Sequence, residues 1–225
     1  MFPHAALTIA AADPAGAGGL QGDLAVFAAL GVKGSSVLTA VAPRSAPAAG
    51  VLHELPAPAV RAQLESLAAG PRPAAVKVGF VSRSGPRLLT APSWAALRRE
   101  LLPAAALVTP NLPEASLLAG FPIRGEADAK RAARAIQALG PRAVLIKGGH
   151  AEGDVFVDGL LDGRTWRAFA SPRIGESAVP GAGDALSAAI TALLARGETL
   201  PDAVEQALAF VRAAIGATRD QATSR

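Results

Sequence analysis

The segment Val179-Pro180-Gly181-Ala182-Gly183-Asp184-Ala185-Leu186-Ser187 runs directly into an apolar stretch of helix length. Two glycines permit a tight turn whose consecutive N–H groups converge on one small space, and the dipole of the following helix adds partial positive charge there. Gly181, Ala182 and Gly183 therefore read as an anion hole. A carboxylate at the end of that turn, Asp184, can accept a proton from an attacking alcohol while a phosphoryl group transfers beside it. Asp184 could also do no more than cap its helix, because aspartate is a favoured cap.

Thr109-Pro110-Asn111-Leu112-Pro113-Glu114 closes an apolar strand. An amide and a carboxylate three residues apart at a strand-to-helix turn, Asn111 and Glu114, suit a hydrated Mg2+ near the phosphates of ATP. The same spacing is close to a capping box, in which each side chain satisfies the other's backbone N–H. Lys147-Gly148-Gly149-His150 also follows a strand. Gly148 and Gly149 would let a nucleotide approach the backbone and Lys147 can meet phosphate, although a plain Gly-Gly turn at a strand end looks the same. His150 is the one histidine near candidate chemistry; His4 and His53 fit the surface or a strand edge.

Near the start, Asp13-Pro14-Ala15-Gly16-Ala17-Gly18-Gly19-Leu20-Gln21-Gly22-Asp23 invites comparison with a dinucleotide site. The fingerprint fails, because Gln21 stands where it needs Gly or Ala and no acidic residue follows about twenty positions on. Without Gly-Lys-Ser/Thr it is not a P-loop either. A glycine turn opening a helix that carries Asp23 suits a polar substrate pressed against backbone. Asp23 could equally be a surface charge favoured by the helix dipole.

These residues must be positioned by regular elements. Apolar runs of strand length, at Ala5–Ala10, Ser36–Val41, Ala75–Val81, Ala105–Thr109 and Ala143–Lys147, alternate with longer amphipathic segments. Near-continuous apolar strands separated by helices predict a parallel sheet covered on both faces. Helices are predicted over Gln21–Leu30, Pro58–Ala69, Pro92–Leu102, Glu126–Leu139, Asp184–Arg196 and Pro201–Ala217 from apolar residues three and four apart. Gly31, Gly70, Gly140 and Gly197 stand just past four of them, where a left-handed cap favours glycine. Alternation between Val155 and Phe169 around Asp162-Gly163 predicts a hairpin at the sheet's end. Arg44–Gly50, with two prolines and several small residues, reads as a mobile loop.

A chain of 225 residues with 51% hydrophobic residues can bury one core, so a single domain over residues 1–225 is expected. With no cysteine there is no disulfide framework, thiolate metal site or cysteine nucleophile, which suits the cytoplasm. Neither a signal peptide nor a membrane span is evident. The net charge of +4 rests on scattered arginines, and two Trp, seven Phe and no Tyr supply no stacking platform, so nucleic acid is not an expected partner.

Taken in order, Ala12–Leu24, Lys77-Val78-Gly79, Thr109–Glu114, Lys147–His150 and Gly181–Ala189 resemble the hydroxymethylpyrimidine and phosphomethylpyrimidine kinases of thiamine synthesis, within the ribokinase superfamily. The similarity runs over most of the chain. It implies a three-layer α/β/α fold with a mostly parallel central sheet, and ATP with Mg2+ as cofactors. It implies substrate contacts from Asp13, Gly18, Gly19, Asp23, Lys77 and Gly79, and phosphate contacts near Asn111, Glu114, Lys147, Gly148 and Gly149. A hydroxymethyl group on a heteroaromatic ring is the expected phosphate acceptor, pyridoxal or pyridoxine the nearest alternative, and a homodimer the assembly suggested by analogy.

Three departures accompany the resemblance. Pyrimidine kinases of this type usually place Cys where Asp184 stands, whereas the sugar-kinase relatives use Asp. The family's Ala-Gln-Asn after the Thr39-Ala40-Val41 strand is replaced by Ala42-Pro43-Arg44-Ser45, leaving Arg44 nearest in register to the substrate-binding Gln. After Lys77-Val78-Gly79-Phe80-Val81, about one strand-helix unit, on the order of 30 residues, is missing. Ala75–Val81 is then expected beside Ala105–Thr109, since an unfilled sheet position would expose two edges. A ligand-binding protein without turnover is the contrasting expectation, opposed by the retained Gly-Ala-Gly-Asp turn.

Overall fold

The computed structural model of the chain describes residues 3–42, 52–79, 91–148, 155–172 and 179–223. In chain order the elements are β1 (Ala5–Ala12), α1 (Gly19–Ala29), β2 (Lys33–Val41), β3 (His53–Glu54), α2 (Ala57–Ala68), β4 (Ala75–Val78) and α3 (Ala91–Ala96). A π-helical turn, Leu97–Leu101, joins α3 to α4 (Leu102–Ala104). Then follow β5 (Leu107–Val108), α5 (Leu112–Ala119), α6 (Glu126–Gln137), β6 (Ala143–Ile146), β7 (Val155–Asp162), β8 (Thr165–Pro172), α7 (Ala182–Ala195) and α8 (Leu200–Thr223). They fall into two compact units, Met1–Val81 with Val179–Arg225, and Ser82–Ala178.

The first unit carries a sheet of order β3-β2-β1-β4. β1 pairs in parallel with β2 and β4, while the short β3 runs antiparallel to β2. Phe27 from α1 is fully buried with Ala6 of β1, Val32, and Ala188, Ala192 and Ala195 of α7. Burying that ring stabilises the fold by about 2–3 kcal/mol. Small residues on α7 let it lie close against its neighbours, and its outer side is covered by α8, where Ala203, Val204 and Ala207 are fully buried. A register shift between Ala10 and Ala12 ends the regular part of β1 just before Asp13.

The second unit carries β5-β6-β7-β8. β5 and β6 are parallel, and β6-β7-β8 are antiparallel. The predicted hairpin is present, with its turn at Gly163 in the left-handed region at φ 58°. α6 buries Ala132, Ala133 and Ile136 against Val144, Ile146 and Leu161, while Lys130, Arg131 and Arg134 lie on its outward faces.

Several expectations are corrected. Among the described residues each unit carries one four-stranded ladder, and Ala75–Val78 pairs with β1. Gly70 does not adopt the left-handed cap; α2 ends on Ala69 in a right-handed conformation. Gly31, Gly140 and Gly197 do take positive φ. The helix expected over Pro92–Leu102 is interrupted by the π turn just before Pro103, whose ring lacks the N–H and crowds the carbonyl four residues back. Arg44, Gly149 and His150, and the loop expected at Arg44–Gly50, lie outside the described residues.

Candidate active site

In the first unit the two glycine turns meet. Gly181 takes φ 84° as the N-cap of α7, and a Cβ there would stand 1.6 Å from the Ala17 carbonyl oxygen. Only glycine permits that approach. Gly19, at φ 62°, opens α1 with its Cα turned onto the Ala11 carbonyl, which a Cβ would meet at 2.5 Å. Its N–H donates to Oδ2 of Asp184 at 3.4 Å. Asp184 is therefore not the cap of α7: no side chain caps that helix, and the carboxylate reaches from its first turn to the Gly18-Gly19 turn.

The N–H groups of the Gly181–Asp184 turn do not all serve one hole. That of Ala182 donates to the Val179 carbonyl at 3.2 Å and closes the turn. Gly183 and Asp184 supply the next N–H groups of the helix start.

Asp13 shapes the N-terminal turn from within. It is 1% exposed, its Oδ1 accepts the Ala15 N–H, and its carbonyl accepts the Gly16 N–H. Its own N–H donates to Gln21 Oε1, and its buried Oδ2 has no hydrogen-bond partner among the described residues. The residue that defeats the dinucleotide fingerprint, Gln21, is thus the one that ties the helix back onto the turn.

Asp23 is fully buried rather than a surface charge. Thr8 Oγ1 donates to its Oδ2 at 2.6 Å, and Lys77 Nζ pairs with its Oδ1 at 2.5 Å. Thr8 and Lys77 face each other across the β1–β4 ladder, so their side chains leave the same face of the sheet and grip one carboxylate of α1. The alternation of β4 agrees: Val76 and Val78 are half exposed and Lys77 between them is 5% exposed. Burial pushes the Asp23 carboxyl above the usual aspartate range; Lys77 and Thr8 pull it back, and the nearby charge of Asp184 pushes it up again. Gly79, one residue past β4, stands where a Cβ would come within 3.0 Å of the Ala10 methyl and 3.6 Å of Lys77 Nζ.

In the second unit Asn111 and Lys147 form a parallel bridge at the ends of adjacent strands, with the Lys147 N–H donating to Pro110. Asn111 Oδ1 accepts the Glu114 N–H at 2.9 Å, and Glu114 Oε2 accepts the Asn111 N–H at 2.8 Å. This is the complete capping box, so the pair cannot chelate a metal with those oxygens without releasing the start of α5. Among the described residues no group of three His, Cys, Asp or Glu side chains could hold a metal ion. A hydrated Mg2+ held mainly by phosphates would fit, with the remaining oxygen of Glu114 as its protein neighbour. Gly148 lies against β7, where a Cβ would stand 2.1 Å from the Val157 carbonyl, and its N–H donates to the buried Asp158.

Thr8 and Asp158 escaped the sequence reading. Each is a lone polar residue inside a run that is otherwise apolar or alternating, and such a residue, if buried, needs a partner.

The sequence profile described as Phosphomethylpyrimidine kinase matches residues 13–85 and 80–223. The hydroxymethylpyrimidine/phosphomethylpyrimidine kinase of Rhizobium meliloti is 40% identical over 240 aligned positions, covering 94% of this chain and 90% of that protein. Its counterpart in Streptomyces coelicolor is 38% identical, covering 96% and 90%. Among solved structures, phosphomethylpyrimidine kinase from Clostridium difficile superposes with a TM-score of 0.82 at 31% identity, covering 94% of this chain and 99% of that one. A pyridoxal kinase from Staphylococcus aureus in complex with AMP-PCP and pyridoxal gives 0.85 at 32%, covering 94% and 87%. Since 94% of 225 residues is about 212, about 28 of the 240 aligned positions of the Rhizobium protein face no residue here. The profile match also breaks into two segments that meet at residues 80–85, where the strand-helix unit was expected to be missing. With both glycine turns inside the match and relatives aligned over nine-tenths of their length, the chain belongs to the phosphomethylpyrimidine kinase family and has its ribokinase-like α/β fold.

Proposed function

We propose that this chain transfers the terminal phosphate of ATP to a hydroxymethyl group on a heteroaromatic small molecule, hydroxymethylpyrimidine or its monophosphate, with Asp184 as the base. The observation that carries the reading is the hydrogen bond from Gly19 to Asp184: it sets the carboxylate of one glycine turn against the backbone of the other. A ring seated on the Gly18-Gly19 turn would present its hydroxymethyl arm to Asp184. The alcohol proton passes to the Asp184 carboxylate as the alcohol oxygen bonds to phosphorus, and the bond from phosphorus to the bridging oxygen breaks, that oxygen keeping the electron pair as ADP leaves. Developing charge on the transferring group is met by the N–H groups at the start of α7.

Asn111, Glu114, Lys147 and Gly148 are assigned to the nucleotide. Mg2+ would neutralise phosphate charge there, with Glu114 as its protein neighbour. Asp13 and Gln21 would shape the acceptor turn, and Asp23 would form its floor, with Lys77 and Gly79 behind. The whole chain is read as one kinase domain working in the cytoplasm, with a homodimer as its assembly by analogy. Among the described residues no helix is long and apolar enough to cross a membrane.

A second reading is pyridoxal phosphorylation, favoured by the superposition on the pyridoxal-bound Staphylococcus aureus enzyme. Incubation with Mg-ATP and, separately, hydroxymethylpyrimidine, its monophosphate, pyridoxal and ribose, following ADP release, decides between them. The reading expects one of the pyrimidines to give the highest kcat/KM. ADP release no faster than a protein-free control with all four acceptors would favour a binding protein that has lost turnover.

A further inference from the structure

We propose that Asp158 is a positioning residue for the nucleotide: its buried carboxylate holds the Gly148 peptide and so fixes the strand end from which Lys147 meets phosphate. The inference rests on the reading of Lys147 as a nucleotide contact and adds what keeps that lysine in place.

β6 and β7 pair from Ala143 with Asp162 to Ile146 with Gly159, and there the ladder stops. β7 itself runs on to Val155, paired with β8 throughout, so Lys147 and Gly148 leave a neighbour that continues without them. The continued register would set Gly148 opposite Val157. Instead the chain leans onto that residue, so closely that a Cβ on Gly148 would stand 2.1 Å from the Val157 carbonyl oxygen and 3.0 Å from its nitrogen. In place of a ladder carbonyl, the Gly148 N–H takes Oδ1 of Asp158 as its acceptor, at 2.8 Å. On the opposite side the Lys147 N–H donates to the Pro110 carbonyl at 2.9 Å, beside the bridge to Asn111. Residue 147 is thus pinned from both sides, by backbone toward β5 and by a side chain toward β7. Holding the N–H before and the N–H after its Cα fixes the two planar peptides that meet there, and with them the direction of its Cβ. Asp158 is 8% exposed, and a carboxylate is costly to bury where a neutral acceptor could satisfy one N–H. What the carboxylate adds is strength, since a hydrogen bond to an ionised acceptor is roughly twice as strong as a neutral one. A strand end that must hold still against the pull of a phosphate has use for that strength; a plain turn has not.

The test uses the full chain and measures the affinity for AMP-PCP with Mg2+ by calorimetry, alongside KM for ATP and for hydroxymethylpyrimidine. The proteins compared are wild type, Lys147→Met, Asp158→Leu, Asp158→Asn and Asp158→Leu/Lys147→Met. Lys147→Met should weaken AMP-PCP binding about tenfold, as the loss of one charge-assisted contact does. Asp158→Leu should weaken it by nearly as much and raise KM for ATP in step, with KM for hydroxymethylpyrimidine within about twofold of wild type. The double variant should bind within about twofold of Lys147→Met, because the carboxylate acts through that lysine. Asp158→Asn, which keeps an oxygen for the Gly148 N–H, should recover most of the affinity. A role in stability alone would lower the melting temperature of Asp158→Leu and leave its affinity for AMP-PCP unchanged, and that result overturns the proposal. So does a double variant whose loss is the product of the two single losses. Should Asp158→Leu not fold, Asp158→Thr, whose hydroxyl stops short of the Gly148 N–H, takes its place on the same criteria. Failure of the underlying reading looks different: Lys147→Met would bind AMP-PCP as tightly as wild type, and there would be no contact for Asp158 to position.

Discussion

Gly181 shows how much of this site depends on an atom that is not there. Its Cα faces the Ala17 carbonyl so closely that a methyl group would stand 1.6 Å from the oxygen, on a backbone at φ 84° that already excludes most side chains. Gly181→Ala must therefore push the two glycine turns apart and carry Asp184 away from Gly19. A displacement of about 1 Å at the reacting groups can cost on the order of 10²-fold in rate. We expect that loss in kcat with the melting transition still cooperative; unchanged kcat in Gly181→Ala would show that the turns need not touch. At this scale the sequence was informative about residue types and poor about partners. Glycines before an aspartate announced a turn, but nothing in Lys77 or Thr8 announced that both would close on Asp23, because that grip arises from a β1–β4 ladder joining positions 69 residues apart. The signal was present only as a lone threonine within an apolar strand.

Among the elements, helices with clear amphipathic spacing were legible to within a few residues, α6 and α7 most clearly. Elements whose existence depends on distant pairing were not: β3 has two residues and exists through β2. The Asn111–Glu114 turn carried two readings with one spacing, and the structure realises the reciprocal cap. That outcome has a measurable consequence. Asn111→Ala should reduce stability by about 1 kcal/mol in chemical denaturation, the usual worth of an N-cap, because the Glu114 N–H loses its acceptor. A loss below a few tenths of a kcal/mol would mean that the box contributes nothing to holding α5. Pro103 gives the converse lesson. It stands just past the predicted helix, and the helical run continues through it, by way of the π turn, into α4.

Across the whole molecule, single motifs were each weak, and their order along the chain was strong. Five segments in the family's sequence pointed to the fold, and the match over residues 13–85 and 80–223 bears that out. The break in that match at residues 80–85 falls at the gap between Lys77-Val78-Gly79 and the next recognisable segment. The central claim is that a carboxylate on the first turn of α7 removes the acceptor's proton during phosphoryl transfer. Steady-state kinetics of Asp184→Asn with hydroxymethylpyrimidine and Mg-ATP, alongside ATP-analogue binding by calorimetry, test it most directly. The account predicts kcat lower by about 10²- to 10⁴-fold with nucleotide affinity within about twofold of wild type; turnover within a few-fold of wild type would contradict it.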